Sequence, residues 1–229
     1  MMWRVHSERE LYRDQWVDLR VADVELPGGR HVSGTAAYDG RTDLPPLVAQ
    51  AVSAARRHGF DKSCRPEQGE LLRVLARGIG TGVIGETGTG CGVGLAWLAT
   101  GAAADARLVS VERDKTRVAI SKQVFAGESR VELLEGDWRK LKEAAPFDLL
   151  VLDGGGQGKG DEPPIDPAEW LRPGGVVVLD DFTPMRGWPP MHMGRPDTAR
   201  LYWLEHPGLR SAEVRVTPEW ASIVATFVG

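Results

Sequence analysis

The sequence predicts an α/β fold: a doubly wound, mostly parallel seven-stranded sheet with an N-terminal extension. Three observations carry this. Short apolar runs near 82–87, 107–112, 131–134, 147–153 and 175–180 alternate with helix-forming stretches near 92–100, 114–126, 138–144 and 164–171. Such alternation means a parallel sheet wrapped on both faces. The rhythm then changes to a helix near 197–205 and two consecutive strands near 210–217 and 220–228, read as an antiparallel pair at the sheet edge. Finally, the first apolar run ends in Glu86 and passes straight into Gly88, Gly90 and Gly92. A turn of that kind exposes bare backbone, because glycine has no Cβ in the way.

Residues 1–45 differ in character and are expected to form an arm, with 46–229 as the main domain. The run Gln15–Leu26 has a partial period of two, Pro27-Gly28-Gly29 follows, and then Arg30-His31-Val32. This reads as a β-hairpin or a pair of extended segments. The stretch resembles the opening strands of Nudix hydrolases, but no Glu-rich Nudix helix follows. An arm this short has little core of its own and needs a surface to cover, so a homodimer is expected. Further on, Leu47–Arg57 is an Ala-rich helix. A second helix begins near Pro66, with Glu67 in its first turn and Leu71, Leu72, Leu75 and Ala76 on one face.

With 229 residues, 42% of them hydrophobic, the chain is large enough to bury a full core as one domain plus extension. A net charge of −4 and a pI near 5.8 provide no overall basic field for nucleic acid or an anionic membrane. No apolar stretch approaches ~18 residues and no signal peptide is evident. The two cysteines, Cys64 and Cys91, offer neither a disulfide framework nor a zinc spacing. The expectation is a soluble, reduced, cytoplasmic protein.

The glycine loop and the acid about 20 residues later, Glu112 at the end of Leu-Val-Ser-Val-Glu, point to a nucleoside-containing cofactor, since a carboxylate there can accept both ribose hydroxyls. A dinucleotide fingerprint needs Gly-x-Gly-x-x-Gly after the strand. From Gly88 the third position is Val93, and from Gly90 it is Leu95. The one literal match, Gly80, Gly82 and Gly85, leads into the strand instead. The pattern present, Glu-x-Gly-x-Gly-x-Gly, resembles motif I of the class I S-adenosylmethionine (SAM)-dependent methyltransferases. SAM has no phosphate, but its methionyl carboxylate suits exposed N–H groups at a helix N-terminus. The resemblance implies that Glu86, Gly88, Gly90, Gly92 and Glu112 bind SAM, that Asp137 bonds the adenine amino group, and that Trp138 covers the ring. Asp137 can equally be a helix N-cap beside a core tryptophan.

The fourth strand ends in Asp153 and the fifth in Asp180-Asp181. Ligands in an open α/β sheet bind beyond the carboxyl ends of the strands, and neighbouring strands lie about 4.8 Å apart. The three acids should therefore converge and repel one another unless protonated or sharing a cation. An oxygen-only set favours Mg²⁺, or Ca²⁺ and Mn²⁺. Acid at 153, Leu-Arg-Pro-Gly-Gly at 171–175 and the acidic pair resemble the cation-dependent O-methyltransferases of the catechol and caffeoyl-CoA type, as does Cys64–Leu72. The match covers roughly 64–181, and implies that Asp153, Asp180 and Asp181 hold the metal.

Two departures matter. The family's third ligand is usually Asn, where this chain has Asp181. Its base lysine, three residues after the first Asp, is replaced by Gly156. Lys159 in the same glycine-rich loop is one substitute and His192 another. The segment Phe182–Arg195, rich in Met, Pro and Trp, lies where an acceptor must sit, and a long loop in a compact domain usually has a function. The sequence thus predicts cation-assisted O-methylation of a small catechol-like or aromatic acceptor. The alternatives are a metal-independent methyltransferase acting on another small molecule or tRNA, and a SAM-binding protein without catalysis. An NAD-dependent oxidoreductase is disfavoured by the glycine register and the missing Tyr-x-x-x-Lys dyad.

Overall fold

The computed structural model describes the backbone of residues 4–13, 18–25 and 34–229, with side chains from Gly34 onward. By contact the chain divides into Met1–Ser33 and Gly34–Gly229. In the first unit β1 (Arg4–Arg13) pairs antiparallel with β2 (Asp18–Glu25). The partner of residues 18–25 is the highly charged segment before them, whose weak alternation hides its strand character. The expected turn at Pro27–Gly29 and the segment Arg30–Val32 lie outside the described residues.

The second unit opens with a 3-10 turn, Gly34–Tyr38. Tyr38 is buried; its hydroxyl donates to the Cys64 carbonyl at 2.7 Å and accepts the Trp97 indole N–H at 2.9 Å. Two helices follow, α1 (Pro46–Arg57) and α2 (Pro66–Ile79), each with proline in its first turn, where a missing N–H costs nothing. The α/β alternation then begins: β3 (Val83–Thr87), α3 (Val93–Gly101), β4 (Arg107–Glu112), α4 (Lys115–Val124) and β5 (Val131–Glu135). A 3-10 segment, Trp138–Ala144, leads into β6 (Phe147–Leu152). After α5 (Pro167–Trp170) comes the long β7 (Leu171–Phe182), then a small ladder of β8 (Met191–His192) and β9 (Arg195–Pro196). The chain closes with α6 (Thr198–Glu205), β10 (Leu209–Arg215) and β11 (Ala221–Phe227).

The seven-stranded sheet has the order β10-β11-β7-β6-β3-β4-β5. The strands β3 to β7 run parallel, and β11 is antiparallel to both β7 and β10. Apolar side chains of β6 alternate between the two cores: Leu149 and Val151 face α1–α4, while Leu150 and Leu152 face the layer with Trp170 and Trp203. Burying each such side chain contributes about 1.5–3 kcal/mol, which is why these strands read as continuous apolar runs. Helix α3 is buried almost all round, and a Cβ at Gly69 of α2 would enter the Trp97 indole, so the two helices approach closely.

Two elements differ from the sequence expectation in extent. The helix expected over 164–171 is only four residues long, because Pro163 and Pro164 precede it and Asp166 caps it through the Ala168 N–H. The strand expected over 175–180 runs from Leu171 to Phe182. Among the described residues no helix is long and apolar enough to cross a membrane.

Candidate active site

The chain order reverses between β3 and β6: β4 lies on one side of β3 and β6 on the other. Such a switch point leaves a crevice beyond the strand ends, where the glycine loop, Glu112 and the acids ending β6 and β7 come together. Gly88, Gly90 and Gly92 all have positive φ (89°, 54° and 91°), a region costly for other residues. The closest constraint is at Gly88, where a Cβ would lie 2.7 Å from both Cα and N of Gly154. The glycine loop and the turn after β6 therefore touch backbone to backbone. Thr87 ties them together, its carbonyl accepting the N–H of Asp153 at 3.1 Å and of Gly154 at 2.7 Å.

Glu86 is 2% exposed and accepts a 2.6 Å hydrogen bond from Ser110, whose hydroxyl also meets Thr89 at 2.6 Å. Burial pushes its carboxyl up to about 8, with Asp180 and Glu112 adding to the shift and Ser110 opposing it. Glu112 is 6% exposed at the end of β4. One of its oxygens accepts the Gly90 N–H and the other the Asp114 N–H, each at 2.9 Å, with Arg117 at 3.4 Å. The carboxylate thus fixes the glycine loop; the oxygen that meets Gly90 keeps a lone pair free, while the other is already shared by Asp114 and Arg117. Asp137 is exposed and caps the 3-10 segment through the Arg139 N–H at 2.9 Å. Trp138 donates to Glu162 at 2.5 Å, lies 5.7 Å from the Trp170 ring and packs on Gly155, where a Cβ would collide with it.

Asp153, Asp180 and Asp181 each offer an oxygen within 4.8 Å of the others. Successive strand residues normally point to opposite faces, so two neighbouring aspartates converging needs an explanation. The ladder between β7 and β11 supplies it. Ala221 pairs with Phe182 and Ile223 with Leu179, so Asp180 and Asp181 together oppose Ser222, and Asp181 adopts a φ of 60°. This is a β-bulge, which bends a strand and redirects its side chains.

Burial, then repulsion by Asp181 and Glu86, raises the Asp153 carboxyl to about 8. Asp180 is raised by burial and by both neighbouring acids. Asp153 and Asp181 nonetheless reach solvent, so mutual repulsion is the cause that survives hydration.

Lys159 lies against this cluster. Its ammonium donates to the Asp180 carbonyl at 2.8 Å and sits 4.3 Å from the Phe182 ring centre. Burial lowers its pKa, and the three acids oppose that shift. His192 is exposed on the β8–β9 ladder, paired with Arg195. Sequence reasoning missed three supporting groups: Ser110 beneath Glu86, Glu162 behind Trp138, and the buried Arg200, whose guanidinium lies 4.8 Å from the Phe182 ring. Only long-range contacts reveal them.

The chain is similar to known methyltransferases in sequence and in fold. Residues 86–182 match the family described as a methyltransferase domain. Residues 3–33 match the nucleoside diphosphate sugar hydrolase N-terminal domain. An inferred O-methyltransferase of Mycobacterium sp. (strain JLS) is 29% identical over 171 residues, 69% of this chain and 76% of the relative. The O-methyltransferase from Bacillus cereus, solved in complex with SAH, superposes with a TM-score of 0.64 at 18% identity, covering 83% of this chain and 94% of that one. The O-methyltransferase TomG from Streptomyces achromogenes, solved with SAM, gives 0.64 at 22% identity, covering 84% and 94%.

Proposed function

We propose that this chain, a class I SAM-dependent methyltransferase, transfers the sulfonium methyl of SAM to a hydroxyl oxygen of a small aromatic or catechol-like acceptor, assisted by a divalent cation. The observation that carries this reading is the cluster of Asp153, Asp180 and Asp181, whose oxygens lie within 4.8 Å of one another at the edge of the glycine loop. The residues fit a hard cation. All three donors are carboxylates, two are pushed up by crowding and burial, and Lys159 spends its shortest hydrogen bond on a backbone carbonyl. An oxygen-only set suits Mg²⁺, Mn²⁺ or Ca²⁺. When bound, such an ion lowers the pKa of an acceptor hydroxyl and orients it.

The chain's own residues supply the rest. The N–H groups of Gly88, Thr89, Gly90 and Gly92 already bond within the chain, so the methionyl carboxylate falls to the N-terminus of α3, which the loop leaves open to the crevice. Glu112 takes one ribose hydroxyl on the free lone pair of the oxygen that meets Gly90 and the second where it displaces the long 3.4 Å Arg117 contact, and Asp137 and Trp138 border the adenine. The sulfonium is already reactive, so alignment is the main task and can supply roughly 7–11 kcal/mol. Lys159 takes the acceptor proton in its neutral amine form, which burial favours, after its own proton has left to solvent. The homodimer and the cytoplasmic location belong to the same proposal: a two-stranded β1–β2 unit is marginal alone, so a second copy covers it, and Cys64 and Cys91 are free thiols, as in a reducing compartment.

A second reading rests on Lys159 itself. An ammonium already beside the acids could serve as their counter-charge in a metal-independent transferase. The two separate in an assay with radiolabelled SAM and a panel of catechol acids, with Mg²⁺ or with EDTA, alongside calorimetry of SAH. Mg²⁺-dependent transfer with unchanged SAH affinity supports the cation reading. Full transfer in EDTA supports the second.

A further inference from the structure

We infer that Arg200 and Glu213 form a buried latch that positions the acceptor loop and, through Phe182, the ammonium of Lys159; this rests on the methyltransferase reading above. Arg200 of α6 is 2% exposed. Its Nη1 donates to the Thr183 carbonyl at 2.9 Å and to Glu213 Oε2 at 3.1 Å. The other oxygen of Glu213 accepts the Met185 N–H at 2.7 Å. One ion pair therefore holds Thr183 and Met185, immediately beyond the Asp180–Asp181 bulge and Phe182. Asp197 completes it, its carboxylate lying 3.2 Å from Arg200 Nε as an ion pair without a hydrogen bond at that atom and accepting the Arg200 backbone N–H at 3.1 Å. Its own N–H donates to the Pro190 carbonyl at 2.9 Å, tying the far end of the loop to the same place.

Between these tethers the loop is open. Trp188 lies exposed between Met185 and Pro190, and Met191 and Met193 are exposed on the β8–β9 ladder just beyond it. A segment with an unpacked tip keeps its position only if its base is fixed, and here the base hangs on charge-assisted bonds in a desolvated site, where such bonds are strong. Arg200 also lies 4.8 Å from the Phe182 ring centre, the same ring on which Lys159 rests at 4.3 Å. Arg200 and Glu213 touch neither the acid cluster nor the glycine loop in any of these contacts. Their effect on methyl transfer runs through Phe182 and the loop backbone, which makes them positioning residues.

Glu213→Gln isolates the role, because it is isosteric and leaves no cavity. A carboxylate presents an acceptor on both sides, to Arg200 and to the Met185 N–H; an amide presents one acceptor and turns a donor toward the other partner. Arg200→Lys is the second variant, keeping the charge but losing the fork. Arg186–Gly187 is a tryptic site inside the loop, and Arg195 is followed by Pro196.

The test measures, for full-length protein and both variants, native-state trypsin cleavage at Arg186, SAH affinity by calorimetry, and transfer to 3,4-dihydroxybenzoate as probe. The latch predicts at least tenfold faster cleavage at Arg186, SAH affinity within twofold of wild type, and kcat at least tenfold lower with KM for SAM unchanged. Phe182→Leu combined with Arg200→Lys should lower kcat by less than the product of the single effects. Unchanged cleavage overturns the latch. So does faster cleavage spread equally over distant sites such as Arg56 and Lys122, which marks general loosening. If wild type binds SAH but ignores the probe, the acceptor assignment fails while cleavage still decides the latch. If it does not bind SAH, the methyltransferase reading itself fails.

Discussion

Asp180 and Asp181 are neighbours in the chain, yet their carboxylates enter one cluster, because both oppose Ser222 across a bulge and Asp181 sits at a φ of 60°. An unbroken strand would send one of them to each face of the sheet. The acid cluster is therefore a property of the bulge as much as of the residues.

Asp180→Ala should abolish Mg²⁺-dependent methyl transfer while leaving SAH affinity within about twofold, because the glycine loop, Glu112 and Asp137 lie on other elements. Chelation of the wild type should reproduce this phenotype. Calorimetry and a radiolabel assay, each with Mg²⁺ and with EDTA, check it. Wild-type turnover in EDTA equal to that in Mg²⁺ would remove the metal assignment.

Glu112→Ala should weaken SAH binding by about 1.5–3 kcal/mol, the range for hydrogen bonds to a charged group. Part of that loss comes from the loop, since Glu112 also holds the N–H groups of Gly90 and Asp114. Unchanged affinity in calorimetry would show that the ribose is held elsewhere.

The buried acids predict a specific pH dependence. Burial raises the Glu86 carboxyl from its ordinary value of 4.5 to about 8 in the folded protein. An acid with a raised folded pKa makes folding take up a proton, so its contribution is most favourable below about pH 4.5 and is lost as pH rises toward 8. Glu86→Gln, which keeps the shape without the charge, should raise the melting temperature at pH 8 relative to wild type more than at pH 5. Parallel melting curves for the two proteins across that window would contradict the assignment.

Gly88→Ala should disrupt the site more than any side-chain truncation near it. The added Cβ would lie 2.7 Å from Gly154 backbone atoms at a φ of 89°, so either the glycine loop or the turn after β6 must move. Strain of this kind costs about 1–3 kcal/mol before the collision is counted. A lowered melting temperature together with lost SAH binding is the expected result, read by thermal shift with and without SAH.

The two candidate bases can be separated directly. Lys159→Met should reduce turnover sharply, since its nitrogen lies beside the acid cluster and burial favours the neutral amine that can take a proton, whereas His192→Gln on the exposed ladder should leave turnover within about twofold. Steady-state kinetics at saturating SAM decides between them. The reverse pattern would make His192 the base and Lys159 a structural cation.

What the sequence by itself determined is the layered fold and the ends of its strands. Apolar runs such as Phe147–Leu152 and Val83–Thr87 are buried on both faces, so their composition marks them without reference to any partner. The glycines at 88, 90 and 92 and the acids Glu86, Glu112, Asp137 and Asp153 follow from where those runs stop. Tertiary structure decided the rest, because the deciding contacts join residues far apart in the chain. The strand ends alone led to the expectation that Asp153, Asp180 and Asp181 converge, but how two consecutive strand residues share one site was not legible, since the bulge that unites them is defined by Ser222 on β11. The position of Lys159 depends on its loop folding back to Asp180 and Phe182, and the strand pairing of 4–13 with 18–25 overrode a charged, weakly alternating sequence. The Arg200–Glu213 pair looks like two ordinary surface charges until α6 and β10 bury both together. Local sequence encodes propensity and burial, whereas the direction of a side chain into a shared site is set by partners the chain meets only when folded.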